Sequence, residues 1–299
     1  MLAGADTRTV ARDDVALSVV CAGERDRPTI VFVHGYPDTK SVWDPVLERL
    51  AADFHVVAYD VRGAGQSSAP RGPAAYSFEH LAGDFEAVCE AVAPGAAVHL
   101  VGHDWGGIQG WEFATSARFG ARLASFTSIA GPALHHAVMA TREPLRRGRL
   151  LTWLGHVRRS WYIAPLCLPG GPTLAWRGVL SAGRWRQTLM TLEGLEVDAD
   201  YPAATVVADG LHGANLYRRN ILPLLWRRPS LVSAHAPVQL IVPDGDRFIS
   251  DSYYEAAEQV APGLRRRTVP GSHWAQRSRP ELVAGWIAEF VAEKDSSGG

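Results

Sequence analysis

The stretch Ala96-Ala97-Val98-His99-Leu100-Val101-Gly102-His103-Asp104-Trp105-Gly106 decides the reading of this chain. Its first six residues make a mostly apolar run of strand length. The last five have the pattern G-x-D-x-G, a sharp strand-to-helix elbow. Flanking glycines let a strained backbone pack tightly and hold the middle side chain out over the end of a sheet. A serine at that point acylates. A carboxylate instead attacks an sp³ carbon and forms an alkyl-enzyme ester, which water then opens. Asp104 therefore directs the expected chemistry toward epoxides or alkyl halides, away from esters and amides.

A lone G-x-D-x-G occurs in many turns, so its meaning rests on the surrounding chain. Apolar and β-rich runs recur at Val15–Val20, Thr29–Val33, His55–Tyr59, Ala97–Val101, Ser125–Ile129, Val238–Val242 and Arg267–Val269. The short, continuously apolar ones suit strands buried on both faces. Between them Trp43–Ala51, Glu79–Val92, Ile108–Arg118, Ser252–Val260 and Pro280–Ala292 carry helical spacing, with Leu282, Trp286, Ile287 and Phe290 on one stripe. Alternation of this kind predicts an α/β fold with a mostly parallel sheet. From Leu134 to Leu225 the rhythm breaks into a strand-free stretch rich in Arg, Trp, Leu and Pro. The expected organisation is core at 1–133, a helical cap at 134–225, core again at 226–293 and a flexible polar tail at 294–299.

At 299 residues there is room for one large domain plus an insertion, and 47 % hydrophobic with 20 % charged residues describes an ordinary globular chain. A formal net charge of −1 gives no overall pull toward nucleic acid. Cys21, Cys89 and Cys167 are odd in number and widely spaced, which fits neither a metal site nor a disulfide framework and points to a reducing compartment. Met1–Thr9 lacks the basic-then-apolar layout of a secretory signal, and no apolar run approaches about 18 residues. The expected location is cytoplasmic. His135-His136 has no further ligands near it in sequence, and no metal or organic cofactor is implied.

A carboxylate nucleophile needs a base to activate water, a group to orient that base, and donors for the oxyanion of ester hydrolysis. The Trp105 N–H follows the nucleophile and is one donor candidate. His34-Gly35-Tyr36-Pro37 lies just past Thr29–Val33, which makes the Tyr36 N–H the second. His273, in Gly271-Ser272-His273-Trp274 after the last strand, is the candidate base. Asp244 and Asp246 both follow Val238–Val242, and Asp246, further into the loop, is preferred as the orienting acid. The chain order nucleophile, acid, base is that of the elbow-bearing hydrolases.

Together with Asp60-Val61-Arg62-Gly63-Ala64-Gly65-Gln66-Ser67, these segments resemble the epoxide hydrolase family of α/β-hydrolases. The resemblance implies a mostly parallel eight-stranded sheet flanked by helices, a helical cap, a cis Tyr36–Pro37 bond and a structural role for the Arg62 turn. It also implies two cap tyrosines that donate to the epoxide oxygen. Tyr162, upstream of Pro169-Gly170, and Tyr217, before Arg218-Arg219-Asn220, stand at the matching places. His34, Pro37, Trp161 and Trp274 are expected to line the substrate pocket. The segment Pro165-Leu166-Cys167-Leu168 departs from the aromatic, polar wording usual in the family, which puts pocket shape and polarity in question. The expected activity is opening of an apolar small-molecule epoxide to a vicinal diol, in a monomer or a dimer.

Two other classes of answer compete. A haloalkane dehalogenase shares the Asp elbow, the His base and Trp105, but commonly has Asn where Tyr36 stands and no use for paired tyrosines. Alternatively, the wording around Tyr36-Pro37-Asp38 resembles the hydrolase half of actinobacterial fusions to a short-chain dehydrogenase. That likeness admits a non-catalytic or partner-dependent module, although no dinucleotide fingerprint appears. From Arg142 to Arg186 inclusive there are nine arginines against one acid, Glu143. Such a basic, tryptophan-bearing segment is either a solvated helix face or a contact for an anionic surface or carrier.

Overall fold

In a computed structural model of the chain, residues 4–198 and 200–296 are described. The strands are β1 (Asp6–Arg12), β2 (Val15–Ala22), β3 (Thr29–Val33), β4 (His55–Tyr59), β5 (Val98–His103), β6 (Leu123–Ile129), β7 (Val238–Pro243) and β8 (Arg265–Val269). They form one sheet in the order β1-β2-β4-β3-β5-β6-β7-β8. β2 is antiparallel to both β1 and β4, and every other pairing is parallel. β3, β4 and β5 are buried along their whole length, in keeping with their mostly apolar runs.

Helices cover both faces. On one lie α2 (Phe78–Val92) and α3 (Trp105–Ala114), whose Phe85, Val88, Trp111 and Phe113 join one apolar layer. On the other lie α1 (Asp44–Leu50) and, at the end of the chain, a helix over Pro280–Ser296, with Val46, Leu47, Ile287 and Val291 in a second layer. Between β6 and β7 the chain runs through α4 (Leu134–Arg146), α5 (Leu150–Arg159), α6 (Ile163–Cys167), α7 (Gly171–Thr173), α8 (Ser181–Leu192) and α9 (Val206–Asn220). A π-helical stretch, Leu174–Leu180, precedes α8.

Some boundaries differ from the sequence expectation. β1 was not anticipated, because Asp-Thr-Arg-Thr-Val-Ala-Arg buries Val10 and little else at the sheet edge. β8 starts at Arg265, since Arg265 and Arg267 reach Glu289 and Glu293 across the last helix. The helix expected over Ser252–Val260 is two short pieces, a 3₁₀ turn at Asp251–Tyr254 and α10 (Ala257–Val260). After α11 (Ala275–Ser278), the final helix α12 (Pro280–Ser296) continues into the expected tail, with Lys294 paired to Glu293 at 2.7 Å. The rest of that tail lies outside the described residues.

Strand order reverses between β3 and β5, one leading toward β4 and the sheet's antiparallel edge, the other toward β8. Open parallel sheets bind ligands outside the strand ends at such a reversal. The loops that follow β3, β5, β7 and β8 there carry Tyr36, Asp104, Asp246 and His273 in turn.

Candidate active site

Asp104 joins β5 to α3 with φ 50° and ψ −117°, a strained conformation for a residue with a side chain. Gly106 makes this possible, because a Cβ there would run into the Val33 carbonyl of β3. In this conformation Asp104 stands at the N-cap of α3, an end where the helix dipole favours negative charge. Its Oδ1 accepts the Tyr36 N–H at 2.9 Å. Its Oδ2 lies 3.6 Å from His273 Nε2.

On the far side of the imidazole, His273 Nδ1 donates to Asp246 Oδ2 at 2.8 Å. Asp246 Oδ1 accepts the N–H groups of Phe248 and Ile249 at 2.7 and 2.9 Å, so both carboxylate oxygens are fixed. Asp244, the competing acid, accepts the Gly271 N–H at 3.1 Å and so ties down the loop ahead of His273 rather than its ring. Chain order, burial and distance thus bring Asp104, Asp246 and His273 into one line.

Over this line lies a cavity of about 1200 Å³. Its walls include Asp104, His273, Tyr162, Tyr217, Trp161 and Trp274, and Pro37 also faces it. Tyr162 immediately precedes α6 and Tyr217 lies in the last turn of α9. Their ring centroids are 6.2 Å apart. Arg218 couples the two elements by donating to the Leu166 and Leu168 carbonyls at 3.1 and 2.5 Å, while Asn220 donates to the Tyr76 carbonyl at 3.0 Å. Arg218 and Asn220 are therefore scaffolding around Tyr217.

A sequence profile for the α/β hydrolase fold matches residues 28–280. Epoxide hydrolase A of Mycobacterium tuberculosis is 35 % identical over 324 residues, covering 96 % of this chain and 98 % of that protein. The chain belongs to the epoxide hydrolase family of α/β-hydrolases. It is also 33 % identical over 286 residues to the protein named probable oxidoreductase EphD of the same organism, covering 93 % of this chain but 48 % of that one. The chain thus spans about half the length of that relative. Among solved structures, an inhibitor complex of Bacillus megaterium epoxide hydrolase aligns with a TM-score of 0.79 at 22 % identity, over 95 % of this chain and all of that one. The last likeness speaks for the fold.

In this family member the Tyr36–Pro37 bond is cis, as the resemblance implied. Arg62 makes a buried two-pronged pair with Asp84, with both bonds at 2.6 Å, which accounts for the turn that holds it. His34 needs correction. It does not face the large cavity: its Nε2 accepts the Val61 N–H at 2.9 Å, and its Nδ1 donates to the Gly35 carbonyl at 2.8 Å. The ring ties the end of β3 to the end of β4. Burial holds His34 neutral, with its pKa below the ordinary value.

Charge in the site follows from who faces whom. Burial penalises the His273 cation, but Asp246 and Asp104 on either side outweigh it and hold its pKa well above the usual imidazole value. Burial likewise opposes ionisation of Asp104, yet His273 and the Tyr36 N–H bring its pKa below the ordinary carboxylate value. The two shifts together favour an Asp104 carboxylate beside a His273 imidazolium. His103, buried beside His273 with ring centroids 4.8 Å apart, is pushed down to about 3, chiefly by burial. It is neutral, and its Nε2 donates to the His273 carbonyl at 3.1 Å. Burial raises both Tyr162 and Tyr217, so both hydroxyls keep their protons.

Two residues near the site were missed in the sequence. Asp38 accepts the Trp274 indole N–H at 2.7 Å and the Tyr201 hydroxyl at 3.0 Å. Its burial raises its pKa to about 7. Its place directly after Pro37 was the available signal. Glu193, just past α8, accepts the His273 N–H at 3.2 Å, and its carbonyl accepts the Ser272 hydroxyl at 2.8 Å. Nothing in the local sequence marks it.

Proposed function

We propose that this chain hydrolyses an epoxide to a vicinal diol through an alkyl-enzyme ester on Asp104. The observation that carries the reading is the pair Tyr162 and Tyr217, facing the same cavity as Asp104 and His273. Epoxide opening creates an alkoxide that needs a proton donor, and these hydroxyls supply one at a place where carbon–halogen cleavage has no use for it. The helices of residues 134–225 act as a cap that brings the donors over the strand ends.

In the first step Asp104 Oδ2 attacks a ring carbon as the carbon–oxygen bond breaks, and the leaving oxygen takes a proton from Tyr162 or Tyr217. Oδ1 stays with the Tyr36 N–H and becomes the ester carbonyl oxygen. Esterification removes the Asp104 charge, and with it one of the two carboxylates that keep His273 protonated. His273 can then release its proton, which restores the hydroxyl of the tyrosine that gave one up, and act as a base on water, held in the Nδ1–H tautomer by Asp246. Water adds to the ester carbon of Asp104, and the oxyanion rests on the N–H groups of Tyr36 and Trp105. Collapse expels the diol oxygen, which takes the proton from His273, and the acid proton left on Asp104 by the added water passes to His273 and restores the starting pair. Both steps proceed with this chain's residues and water.

The cavity is larger than many small-molecule sites, which run to about 1000 Å³, and its walls are mostly apolar. It suits a bulky apolar epoxide. The test is His273→Gln with a styrene-type epoxide, read by intact mass. Stoichiometric gain of the substrate mass on the Asp104 peptide supports the scheme. Normal turnover, or loss of turnover with no added mass, would rule it out.

A further inference from the structure

Monomeric proteins usually scatter their exposed apolar side chains singly. Along α5 they are collected. Leu150, Leu154 and Val157 share a helical stripe that continues to Trp161, and all four are exposed. Leu151, beside them, is 85 % exposed, and Trp161 is 68 % exposed. The opposite side of the helix buries His156. Further along the chain Leu168, Leu174, Val179 and Leu192 are exposed as well, Leu174 to 68 %. Trp161 and these four also line the large cavity, so the apolar stripe of α5 runs through Trp161 into exposed side chains of the cavity wall.

The same segment of chain is cationic. Arg146, Arg149, Arg158 and Arg177 are all exposed. Among the described residues, none of the four side chains has an ion-pair partner. The one acid between Arg142 and Arg186, Glu143, is taken by Arg147 at 2.7 Å. A solvated helix face accounts for the arginines alone, but it does not account for leucines and a tryptophan standing in water beside them. An interfacial face needs both, with apolar side chains entering the acyl boundary and arginines meeting anionic headgroups.

We infer that the α5 face and the rim of the cavity mouth dock on an anionic lipid bilayer, so that the cavity opens into the membrane. The substrate class follows, an apolar epoxide carried in lipid that reaches Asp104 without crossing water. What passes through the mouth rests on the epoxide hydrolase reading. The docking itself does not.

The test uses the full chain with vesicles of phosphatidylcholine, alone or mixed equally with phosphatidylglycerol, and reads co-flotation. The variant is Arg146→Gln/Arg149→Gln/Leu151→Ser, whose residues lie outside the cavity walls. The native chain floats with the anionic vesicles, weakly with the neutral ones, and less as salt is raised. Each arginine near such a surface strengthens binding about fivefold, so removing two costs roughly 25-fold before the lost leucine is counted. Turnover of a water-soluble epoxide by the triple variant is unchanged. Should Leu151→Ser harm folding, the Arg146→Gln/Arg149→Gln pair alone retains the charge test. Equal flotation with both vesicle types, or native-level flotation of the variant, would overturn the docking. So would a light-scattering dimer that the variant dissolves when no vesicles bind, which would give the face to a second copy. Absent turnover with intact flotation would count against the epoxide reading and leave the docking standing.

Discussion

Replacing Asp246 by Asn separates the two chemical steps, and the geometry gives the size of the effect. Asp246 Oδ1 accepts two backbone N–H groups, from Phe248 and Ile249, and only an oxygen can stay there. The asparagine amide must therefore point its NH₂ at His273 Nδ1, where the carboxylate now accepts a proton at 2.8 Å. His273 is driven into the Nε2–H tautomer. In that form it can donate toward Asp104 but cannot take a proton from water. Loss of a general base costs about 10²- to 10⁴-fold, or about 3 to 5.5 kcal/mol of barrier at 1.36 kcal/mol per tenfold. That loss falls on ester hydrolysis. Alkylation, which needs the Asp104 carboxylate and the tyrosines, should stay within about tenfold of native. Rapid-quench kinetics with intact mass should show the ester forming and persisting. Ester hydrolysis within tenfold of native, or loss of turnover with no ester, would refute the tautomer argument.

Other expectations follow from the same geometry. Tyr162→Phe and Tyr217→Phe should each slow alkylation, by about 10²-fold if each supplies a general acid, and the double variant should show no ester in a single turnover. Gly106→Ala places a methyl against the Val33 carbonyl, and a melting curve should show a loss on the order of 1–3 kcal/mol. His273 has a raised folded pKa, so its pair contributes stability in full below about 6.5 and loses it as pH rises through the folded value. The melting-temperature gap between native and His273→Gln protein should accordingly shrink toward alkaline pH. Asp38 is the opposite case for a carboxyl. Its folded pKa, raised to about 7 by burial, makes stability fall between the unfolded carboxyl value and that pH, and Asp38→Asn should flatten the fall when melting is followed from acid to neutral pH.

Much of this was legible in the sequence because burial leaves a local record. β3, β4 and β5 are buried on both faces, so their residues are almost all apolar and the elbow after β5 could be placed. Asp104, Asp246 and His273 could be named because each stands in the loop after a strand that was itself visible. β1 left no such record, as a sheet edge asks little of its side chains beyond Val10. Long-range partners left none either. Glu193 meets His273 from 80 residues away, and the Trp274–Asp38 bond spans 236 residues. His34 was misplaced for a related reason. Its position beside the oxyanion loop suggested the pocket, while its ring is claimed by the Val61 N–H of a different strand end.

A single turnover in heavy-oxygen water, with the enzyme in excess over a styrene-type epoxide, tests the central claim most directly. If Asp104 attacks and water then opens the ester, the diol carries the light oxygen of the carboxylate, and the peptide containing Asp104 gains one heavy oxygen. A diol that takes its oxygen from the solvent, with that peptide unlabelled, would show water attacking the ring directly and would contradict the covalent account.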